Sequence, residues 1–336
     1  MTAPRRHLRW QPKSFLALGG GPLGNLFEAV TDEVAVATIE RAWERGIRSF
    51  DTAPHYGLGL SERRFGRALA GCPRDEYELS TKVGRLLVPA DEEALSARDA
   101  IEAQQFSVVS DLRRQWDFSA DGVRRSLDDS LARLAVDRID VAYLHDPEHH
   151  IDQAADEAFP ALARLRDEGV IRAVGVGTNS LHTARELIRR CPIDVLMIAG
   201  RLTLLDQSAS LDVLPSCQEQ GIAVMSAGVF NSGILAETKP TAASTFDYAS
   251  ATPEVLARVQ EISQICARHG SSLQAAALVY AASRYQVDAL CFGARSADEV
   301  DNDVDAIEAG LDAELWDELL RSVSPTTASV RHDRAI

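Results

Sequence analysis

An acid, a phenol, a lysine and a histidine occur in this chain at or just after the ends of three apolar runs that resemble buried strands. Asp51 ends the run 47–51 and Tyr56 follows it in a loop, while Lys82 and His145 end two later runs. A lysine among apolar residues needs a carboxylate beside it, and Asp51 is the candidate. We expect Lys82 to lower the pKa of Tyr56 from about 10 toward the working pH. Tyr56 would then exchange a proton with a carbonyl or alcohol oxygen that His145 orients.

Taken singly, each of these residues has an ordinary structural explanation: a loop cap, a packed ring, a surface lysine or a core histidine. The set is more informative because strand-like and helix-like segments alternate almost to the end of the chain. Strands are predicted at 15–18, 47–51, 77–83, 139–144, 170–175, 193–198, 222–226 and 289–292. Helices are predicted at 31–45, 61–70, 120–134, 152–168, 181–190, 211–220, 253–269, 273–284 and from 297 onward.

Eight strands, each followed by a helix, favour an α/β fold of the closed (β/α)8 TIM-barrel type over an open sheet. In such a barrel the C-terminal ends of neighbouring strands share one face, so the four side chains can converge there. We interpret residues 1–336 as a single domain with a long, partly helical insertion at about 84–118 and a polar tail at about 325–336. The insertion is too long for a simple turn, so we expect it to cover a site or to be mobile.

Composition limits the classes of partner. The chain has a net charge of -15 and is 46% hydrophobic, which argues for a large core and against nucleic-acid binding. Its five cysteines are scattered and odd in number, which is typical of a reducing compartment rather than of disulfides or zinc. No apolar run suggests a signal peptide or a membrane span, so we predict a cytoplasmic protein with no membrane partner.

Two motifs are misleading. Residues 19–24 satisfy G-x-G-x-x-G after a strand, but Pro22 and the irregular stretch 25–30 separate the glycines from the next predicted helix. A dinucleotide fingerprint needs that helix to start within the glycines, so we interpret them as a loop over the barrel mouth. The histidines after His145 lack the helical spacing of a metal site. No metal is predicted, and His149 and His150 are interpreted as solvated.

The chain resembles the aldo-keto reductases over nearly its whole length. The segments that carry the resemblance are Gly46–Gly57 with Ser61-Glu62 after it, Ser80-Thr81-Lys82 and Tyr143-Leu144-His145. The resemblance implies a (β/α)8 barrel that binds a nicotinamide cofactor without a Rossmann domain. It also implies that Tyr56 is the proton donor or acceptor, that Lys82 and Asp51 tune it, and that His145 orients the substrate.

The same resemblance implies three groups of cofactor-binding residues: Thr178 and Asn179 at the carboxamide, Ser226, Ala227, Gly228 and Val229 at the pyrophosphate, and Gly293, Arg295, Ser296, Glu299 and Asp303 at the adenosine. Leu202 replaces a tyrosine that stacks on nicotinamide in many members, and Asp303 replaces an asparagine. Glu299 stands where NADP-dependent members often carry an arginine. A carboxylate there would repel a 2'-phosphate, so we predict NAD, with NADP as the alternative because Arg295 can pair a phosphate.

Residues 81–89, the insertion and residues 200–205 resemble the branch that contains L-fucose (D-threo-aldose) and L-galactose dehydrogenases and pyridoxal 4-dehydrogenase-like enzymes. The predicted reaction is NAD-linked oxidation of an aldose of the L-fucose, D-arabinose or L-galactose type at C1 to the lactone. Alternatives are a pyridoxal 4-dehydrogenase, an aldehyde or ketone reductase, and a non-catalytic nicotinamide-sensing subunit. Trp10, Phe106 and Trp116 are candidate pocket walls. The expected partner is a small sugar or aldehyde, and the chain is expected to be a monomer or homodimer.

Overall fold

The computed structural model describes residues 8–90 and 105–323. Its strands are β1 Leu16–Gly19, β2 Ser49–Asp51, β3 Glu78–Val83, β4 Arg85–Pro89, β5 Leu112–Trp116, β6 Val141–His145, β7 Ala173–Thr178, β8 Val195–Ala199, β9 Ala223–Ala227, β10 Thr245–Phe246, β11 Ala249–Ser250 and β12 Ala289–Gly293. All but β4, β5, β10 and β11 form a closed barrel of eight parallel strands in chain order, with β12 paired to β1. The predicted (β/α)8 barrel is confirmed.

Helices on the outside of the barrel follow most of its strands. They span Asp32–Glu44, Leu60–Leu69, Ala120–Leu134, Ile151–Gln153, Phe159–Asp167, Leu181–Arg190, Ser208–Gln220, Pro253–Arg268, Leu273–Ser283, Ala297–Ala309 and Ala313–Ser322. Their apolar faces and the outward faces of the strands form the largest buried cluster. Most begin at a hydroxyl or carboxylate cap; Ser119, for example, accepts a hydrogen bond from the backbone N–H of Gly122.

The helix predicted over 152–168 is present but is not one uniform α-helix. A short helical turn leads instead into a π-helical stretch, Ala154–Ala158, and an α-helix resumes at Phe159. Pro160 lies in the first turn of that α-helix; its ring would clash with a carbonyl one turn earlier in an unbroken α-helix. The helix predicted from 297 onward is likewise two helices, separated at Gly310, whose φ is +70°.

The insertion after β3 contains strands that were not predicted. Strands β4 and β5 form an antiparallel hairpin in which Arg85 pairs with Trp116 and Leu87 with Arg114. A second, shorter hairpin joins β10 to β11 and was not predicted. Residues 91–104 of the insertion and the predicted polar tail at about 325–336 lie outside the described residues.

The barrel interior is a separate apolar cluster that includes Tyr143, Met197 and Met225. Gly175 leaves the space for the Tyr143 ring, since a Cβ there would lie 2.4 Å from the ring. Trp10 packs against this cluster, and its neighbour Arg9 donates its backbone N–H to Gly221, which precedes β9. Trp10 therefore lies at the N-terminal end of the barrel, so its prediction as a pocket wall is wrong.

Within residues 8–90 and 105–323, no helix is long and apolar enough to cross a membrane. The same residues contain no group of three or more side chains placed to hold a metal ion. The cysteines described are all free.

Candidate active site

The four side chains first identified in the sequence meet at the C-terminal ends of three adjacent strands. Asp51 ends β2, Lys82 lies in β3 and His145 ends β6, and β3 pairs with both β2 and β6. Lys82 Nζ donates to Asp51 Oδ2 at 2.6 Å and to the Thr52 carbonyl at 3.0 Å. The same nitrogen lies 4.6 Å from the centroid of the Tyr56 ring. The acid, the amine and the phenol are therefore in contact.

The loop that carries Tyr56 is held by close backbone packing against the glycine-rich segment. Gly57 has a φ of +63°, and a Cβ on it would lie 2.3 Å from the Gly24 carbonyl oxygen. A Cβ on Gly24 would lie 2.6 Å from the carbonyl carbon of Tyr56. The glycines open only a 3₁₀ turn, Pro22–Gly24, and the following α-helix begins at Asp32, so they do not open an α-helix as a dinucleotide fingerprint requires. They hold the backbone of Tyr56 in place.

Burial decides the charge states of this group. Burial disfavours the Lys82 ammonium, but attraction to Asp51 and Tyr56 outweighs it, so the pKa of Lys82 is raised and the amine stays charged. Burial raises the pKa of Tyr56, and attraction to Lys82 offsets only part of that rise. The expectation that Lys82 brings the pKa of Tyr56 down toward neutrality is therefore wrong. At neutral pH the phenol keeps its proton.

Two buried histidines adjoin the phenol. The His145 ring lies 5.9 Å from the Tyr56 ring at 89°, and the His55 ring lies 5.6 Å from His145. Burial lowers the pKa of both histidines well below the ordinary value, and Arg85 lowers it further. Both imidazoles are therefore neutral at neutral pH. A neutral His145 can donate one hydrogen bond to a substrate oxygen without adding charge.

Sequence reasoning missed the charged side chains that surround these histidines. Arg85 Nη2 donates to Asp146 Oδ2 at 2.6 Å, and its Nη1 lies 3.1 Å from Nδ1 of His55. Arg114 Nη2 donates to the His55 carbonyl at 2.9 Å. Both arginines come from the β4–β5 hairpin, where period-two alternation puts Arg85, Arg114 and Trp116 on one face. That alternation was the available signal.

Aromatic residues complete the surroundings. Phe106 is buried and stacks on Tyr56 at 6.2 Å between centroids and 25° between planes, so it does adjoin the site. Trp116 is partly exposed, stacks on Phe118 and carries the Arg85 guanidinium 4.2 Å above its ring. His150 packs 5.5 Å from Trp116 and is half-buried, so its interpretation as solvated is wrong, whereas His149 is exposed.

The residues expected at the nicotinamide and pyrophosphate lie at the ends of β7 and β9, the two strands that flank β8. Thr178 ends β7, hydrogen bonds to Glu148 and accepts from the Ser180 backbone N–H, while the Asn179 carbonyl accepts from Arg201. Strand β9 ends in Ser226 and Ala227, followed by Gly228, whose φ is +60°, and Val229. Leu202, in the place of the stacking tyrosine, is fully buried.

Two polar atoms near these strand ends are unsatisfied. Ser226 Oγ and Asn231 Oδ1 are buried and have no hydrogen-bond partner within the described residues, although Asn231 Nδ2 donates to Gly200. Buried polar groups normally have partners, and those that lack them are often completed by a ligand or water. A hydroxyl and an amide oxygen here fit the amide and hydroxyl groups of a nicotinamide dinucleotide.

At the expected adenosine end, Gly293 ends β12 and Ser296 caps the helix 297–309. Arg295 is held by two carboxylates, with its Nη1 2.7 Å from Glu28 and its Nη2 3.3 Å from Glu299. Asp303 accepts from Gln274 at 2.6 Å and is buried, which raises the pKa of its carboxyl to about 7. The Arg295 guanidinium is thus paired with Glu28 and Glu299, and the Asp303 carboxylate is hydrogen bonded to Gln274.

Comparison with known proteins shows the family to which this chain belongs. Residues 15–323 match the Aldo/keto reductase family. The chain is 42% identical to the D-threo-aldose 1-dehydrogenase of a Pseudomonas species, covering 90% of this chain and 92% of that one. It is 35% identical to the pyridoxal 4-dehydrogenase of Microbacterium luteolum, covering 90% and 91%.

Solved structures agree with the sequence comparison. An aldo-keto reductase of Bacillus halodurans in its holo form superimposes with a TM-score of 0.71 at 25% identity, covering 95% of this chain and 96% of that one. A parallel barrel with a phenol, an amine and an acid in contact at its C-terminal face accords with both comparisons. The chain therefore belongs to the aldo/keto reductase family and is an NAD(P)-dependent oxidoreductase.

Proposed function

We propose that this oxidoreductase oxidises an aldose at C1 to the lactone with NAD as its preferred cofactor, and that L-fucose, D-arabinose and L-galactose are the sugars to examine first. The observation that carries the proposal is the 42% identity, over nine-tenths of the chain, to a D-threo-aldose 1-dehydrogenase. The convergence of Asp51, Tyr56, Lys82 and His145 supports it, because C1 oxidation needs a base at the anomeric hydroxyl.

In this proposal a bound nicotinamide would be the acceptor of the hydride from C1. Tyr56 takes the proton of the anomeric hydroxyl, and Lys82 stabilises the phenolate that must form first. Asp51 keeps the Lys82 amine charged inside the barrel, and His145 donates a hydrogen bond that orients the substrate oxygen. Because burial raises the pKa of Tyr56, the phenolate fraction grows with pH, so oxidation should accelerate toward alkaline pH.

The preference for NAD is proposed from the adenosine end. The residues that would hold the cofactor there are Gly293, Arg295, Ser296 and Glu299. A 2'-phosphate would need Arg295, whose guanidinium already contacts Glu28 and Glu299. Two carboxylates around that one cation disfavour a further anion, whereas free ribose hydroxyls can donate to them.

The test is a panel of aldoses assayed with NAD and NADP in parallel, on wild type and Tyr56→Phe. We expect NADH to form with at least one aldose and Tyr56→Phe to lower kcat by ~10²–10⁴-fold, the usual contribution of a general acid or base. NADH binding, followed by fluorescence, should be unchanged in the variant. Tyr285→Phe is the matched control, because Tyr285 packs against Tyr280 away from the four residues of the site. Full turnover in Tyr56→Phe, or none with any aldose, would contradict the proposal.

A second candidate rests on the relative that is 35% identical and named a pyridoxal 4-dehydrogenase. The protonated phenol also suits the reverse reaction, in which Tyr56 donates a proton to a carbonyl oxygen as an aldehyde is reduced. Pyridoxal assayed with NAD and NADP, and simple aldehydes assayed with NADH and NADPH, separate these reactions from aldose oxidation.

A further inference from the structure

Asp146 lies directly after His145 in an unusual backbone conformation. Its φ is +44°, in the left-handed region that non-glycine residues adopt at a cost, and such residues cluster at functional sites. The backbone N–H of Asp146 donates to the Gly177 carbonyl at 2.9 Å, which ties this turn to β7. The turn therefore fixes where the Asp146 carboxylate points.

The contacts of the carboxylate are divided between its two oxygens. Oδ2 accepts from Arg85 Nη2 at 2.6 Å and lies 3.5 Å from His145 Nε2. Oδ1 has no hydrogen-bond partner within the described residues. The Asp146 side chain is 37% exposed, whereas that of Arg85 is 11% exposed. One acceptor oxygen is thus available at the barrel mouth beside His145.

The partner of Asp146 is itself held firmly. The Arg85 guanidinium lies 4.2 Å from the Trp116 ring centroid and 3.1 Å from a ring nitrogen of His55. His55 in turn packs edge-on against Phe106, which stacks on Tyr56. The ion pair is therefore part of the same wall as the reacting phenol, and little side-chain freedom remains to be lost when a substrate binds.

We propose that Asp146, held by Arg85, binds hydroxyl groups of the substrate and makes this site selective for polyhydroxylated compounds. The inference rests on the proposed aldose oxidation and adds a specificity-determining residue to it. The available Oδ1 of Asp146 has two lone pairs and can accept hydrogen bonds from two neighbouring hydroxyls, while Arg85 holds the carboxylate in place. Pyridoxal and simple aldehydes lack the neighbouring aliphatic hydroxyls that this pair would recognise.

The Asp146–Arg85 pair can also distinguish hydroxylated substrates from those without hydroxyls. A site built to hydrogen-bond a substrate hydroxyl rejects analogues that lack it, since its polar groups are then left unpaired after water is excluded. Replacing Asp146 should therefore weaken binding and turnover of hydroxylated substrates and leave reduction of a hydroxyl-free aldehyde nearly unchanged. A residue that acted only by positioning His145 would affect both substrates alike.

The test is Asp146→Asn, which keeps the side-chain size and tolerates a positive φ. We expect kcat/KM for the best aldose of the panel to fall ~10- to 100-fold, as for loss of a charged hydrogen bond, mainly through KM. Reduction of a hydroxyl-free aldehyde with NADH should change less than ~3-fold. Among mono-deoxy analogues of the aldose, the one that lacks the hydroxyl bound by Asp146 should give similar kcat/KM values in wild type and variant. Asp212→Asn, which breaks the exposed pair with Arg185, is the matched control.

Arg85→Lys gives an independent measurement if the first variant folds poorly, which NADH binding will reveal. It should lower aldose kcat/KM by a smaller factor with the same substrate selectivity, because lysine keeps the charge but not the planar fork. A uniform loss on aldose and aldehyde, or the same loss for every deoxy analogue, would overturn this inference alone. A wild-type enzyme that oxidises no aldose would overturn the proposed function and this inference together.

Discussion

Replacing Asp51 by asparagine tests the buried ion pair on which the site depends. Lys82 is 2% exposed, and its partners are the Asp51 carboxylate at 2.6 Å and the Thr52 carbonyl at 3.0 Å. An asparagine keeps the shape, and its amide can still meet both Lys82 and the Ser80 hydroxyl that now donates to Asp51. What the substitution removes is the negative charge, so the ammonium is left buried without its counterion.

The size of the effect follows from what the lysine can do next. Removing one partner of a buried pair costs ~3–5 kcal/mol of folding stability. The amine can instead release its proton, which costs ~1.4 kcal/mol for each pH unit below its ordinary pKa of about 10.4, that is ~4.6 kcal/mol at pH 7 and ~2 kcal/mol at pH 9. We therefore expect Asp51→Asn to lose ~3–5 kcal/mol at pH 7 and ~2 kcal/mol or less at pH 9.

The sign of this pH dependence is specific to the variant. In the wild type the pKa of Lys82 is raised, so its contribution is complete below the unfolded pKa and is lost only above it. Without Asp51, burial lowers the pKa of Lys82 below the unfolded value. The unfolded chain then binds more protons, and the stability of the variant rises with pH across this window.

Equilibrium urea unfolding of both proteins at pH 7 and pH 9 measures the difference. Glu168→Gln, which breaks the exposed pair with Arg124, is the control and should cost less than ~1 kcal/mol at either pH. A loss below ~1 kcal/mol for Asp51→Asn at pH 7 would refute the reasoning, since values of 3–5 kcal/mol are typical of a broken buried pair. An equal loss at both pH values would refute it too, because it would mean that Lys82 does not become an unpaired buried charge.

Two further predictions concern other carboxylates. Burial raises the pKa of Glu78 to about 8, so the folded chain keeps a proton that the unfolded chain releases, and the stability of the wild type falls as pH rises from ~4.5 to 8. In the same urea assay, Glu78→Gln should be more stable than wild type by up to ~4 kcal/mol at pH 8 and similar to it near pH 4.5. An equal difference at both pH values would contradict this. The double variant Glu28→Gln/Glu299→Gln removes the two carboxylates that contact Arg295, so the ratio of kcat/KM with NADP to kcat/KM with NAD should rise ~10-fold. Glu44→Gln is the control. An unchanged ratio would mean that these acids do not set the cofactor preference.

The barrel and the convergence of Asp51, Tyr56, Lys82 and His145 were predictable because both follow from periodicity. Apolar runs that alternate with amphipathic helices indicate a parallel barrel, and functional side chains at the strand ends must then share a face. Even so, several strands were predicted to start too early. Ile47 and Ile171 are buried but precede the paired residues of β2 and β7. An apolar run reports burial, which extends beyond the hydrogen-bonded ladder.

Two features were not predictable from the sequence, namely the contact between Arg85 and Asp146 and the β10–β11 hairpin. Arg85 and Asp146 are 61 positions apart in the chain, and their meeting depends on where a hairpin with half-exposed strands folds over the barrel. The turn of the β10–β11 hairpin uses Asp247 and Tyr248 at positive φ, without the glycine or asparagine that usually marks such a turn. Alternation within β4 and β5 indicates which side chains share a face, but no local signal indicates where that face lies on the barrel.

The pKa of Tyr56 shows a different limit of sequence reasoning. The residue types around the phenol were identified, and Lys82 does favour its ionisation. The direction of the net shift was nevertheless wrong, because it depends on how completely the fold removes water from the ring. Charge partners can be inferred from residue types, whereas desolvation is a property of the finished packing.

The site contains two ion pairs of the same kind at different depths, and depth separates their roles. Asp51 and Lys82 are 4% and 2% exposed, so their charges act on Tyr56 almost unscreened. Asp146 and Arg85 are 37% and 11% exposed, at the mouth where a substrate enters. The deep pair lies against the Tyr56 phenol, whereas the pair at the mouth has a carboxylate that an incoming substrate can reach. Proton transfer and substrate selection should therefore be separable by mutation, with Asp51→Asn affecting every substrate and Asp146→Asn only those with hydroxyls to bind.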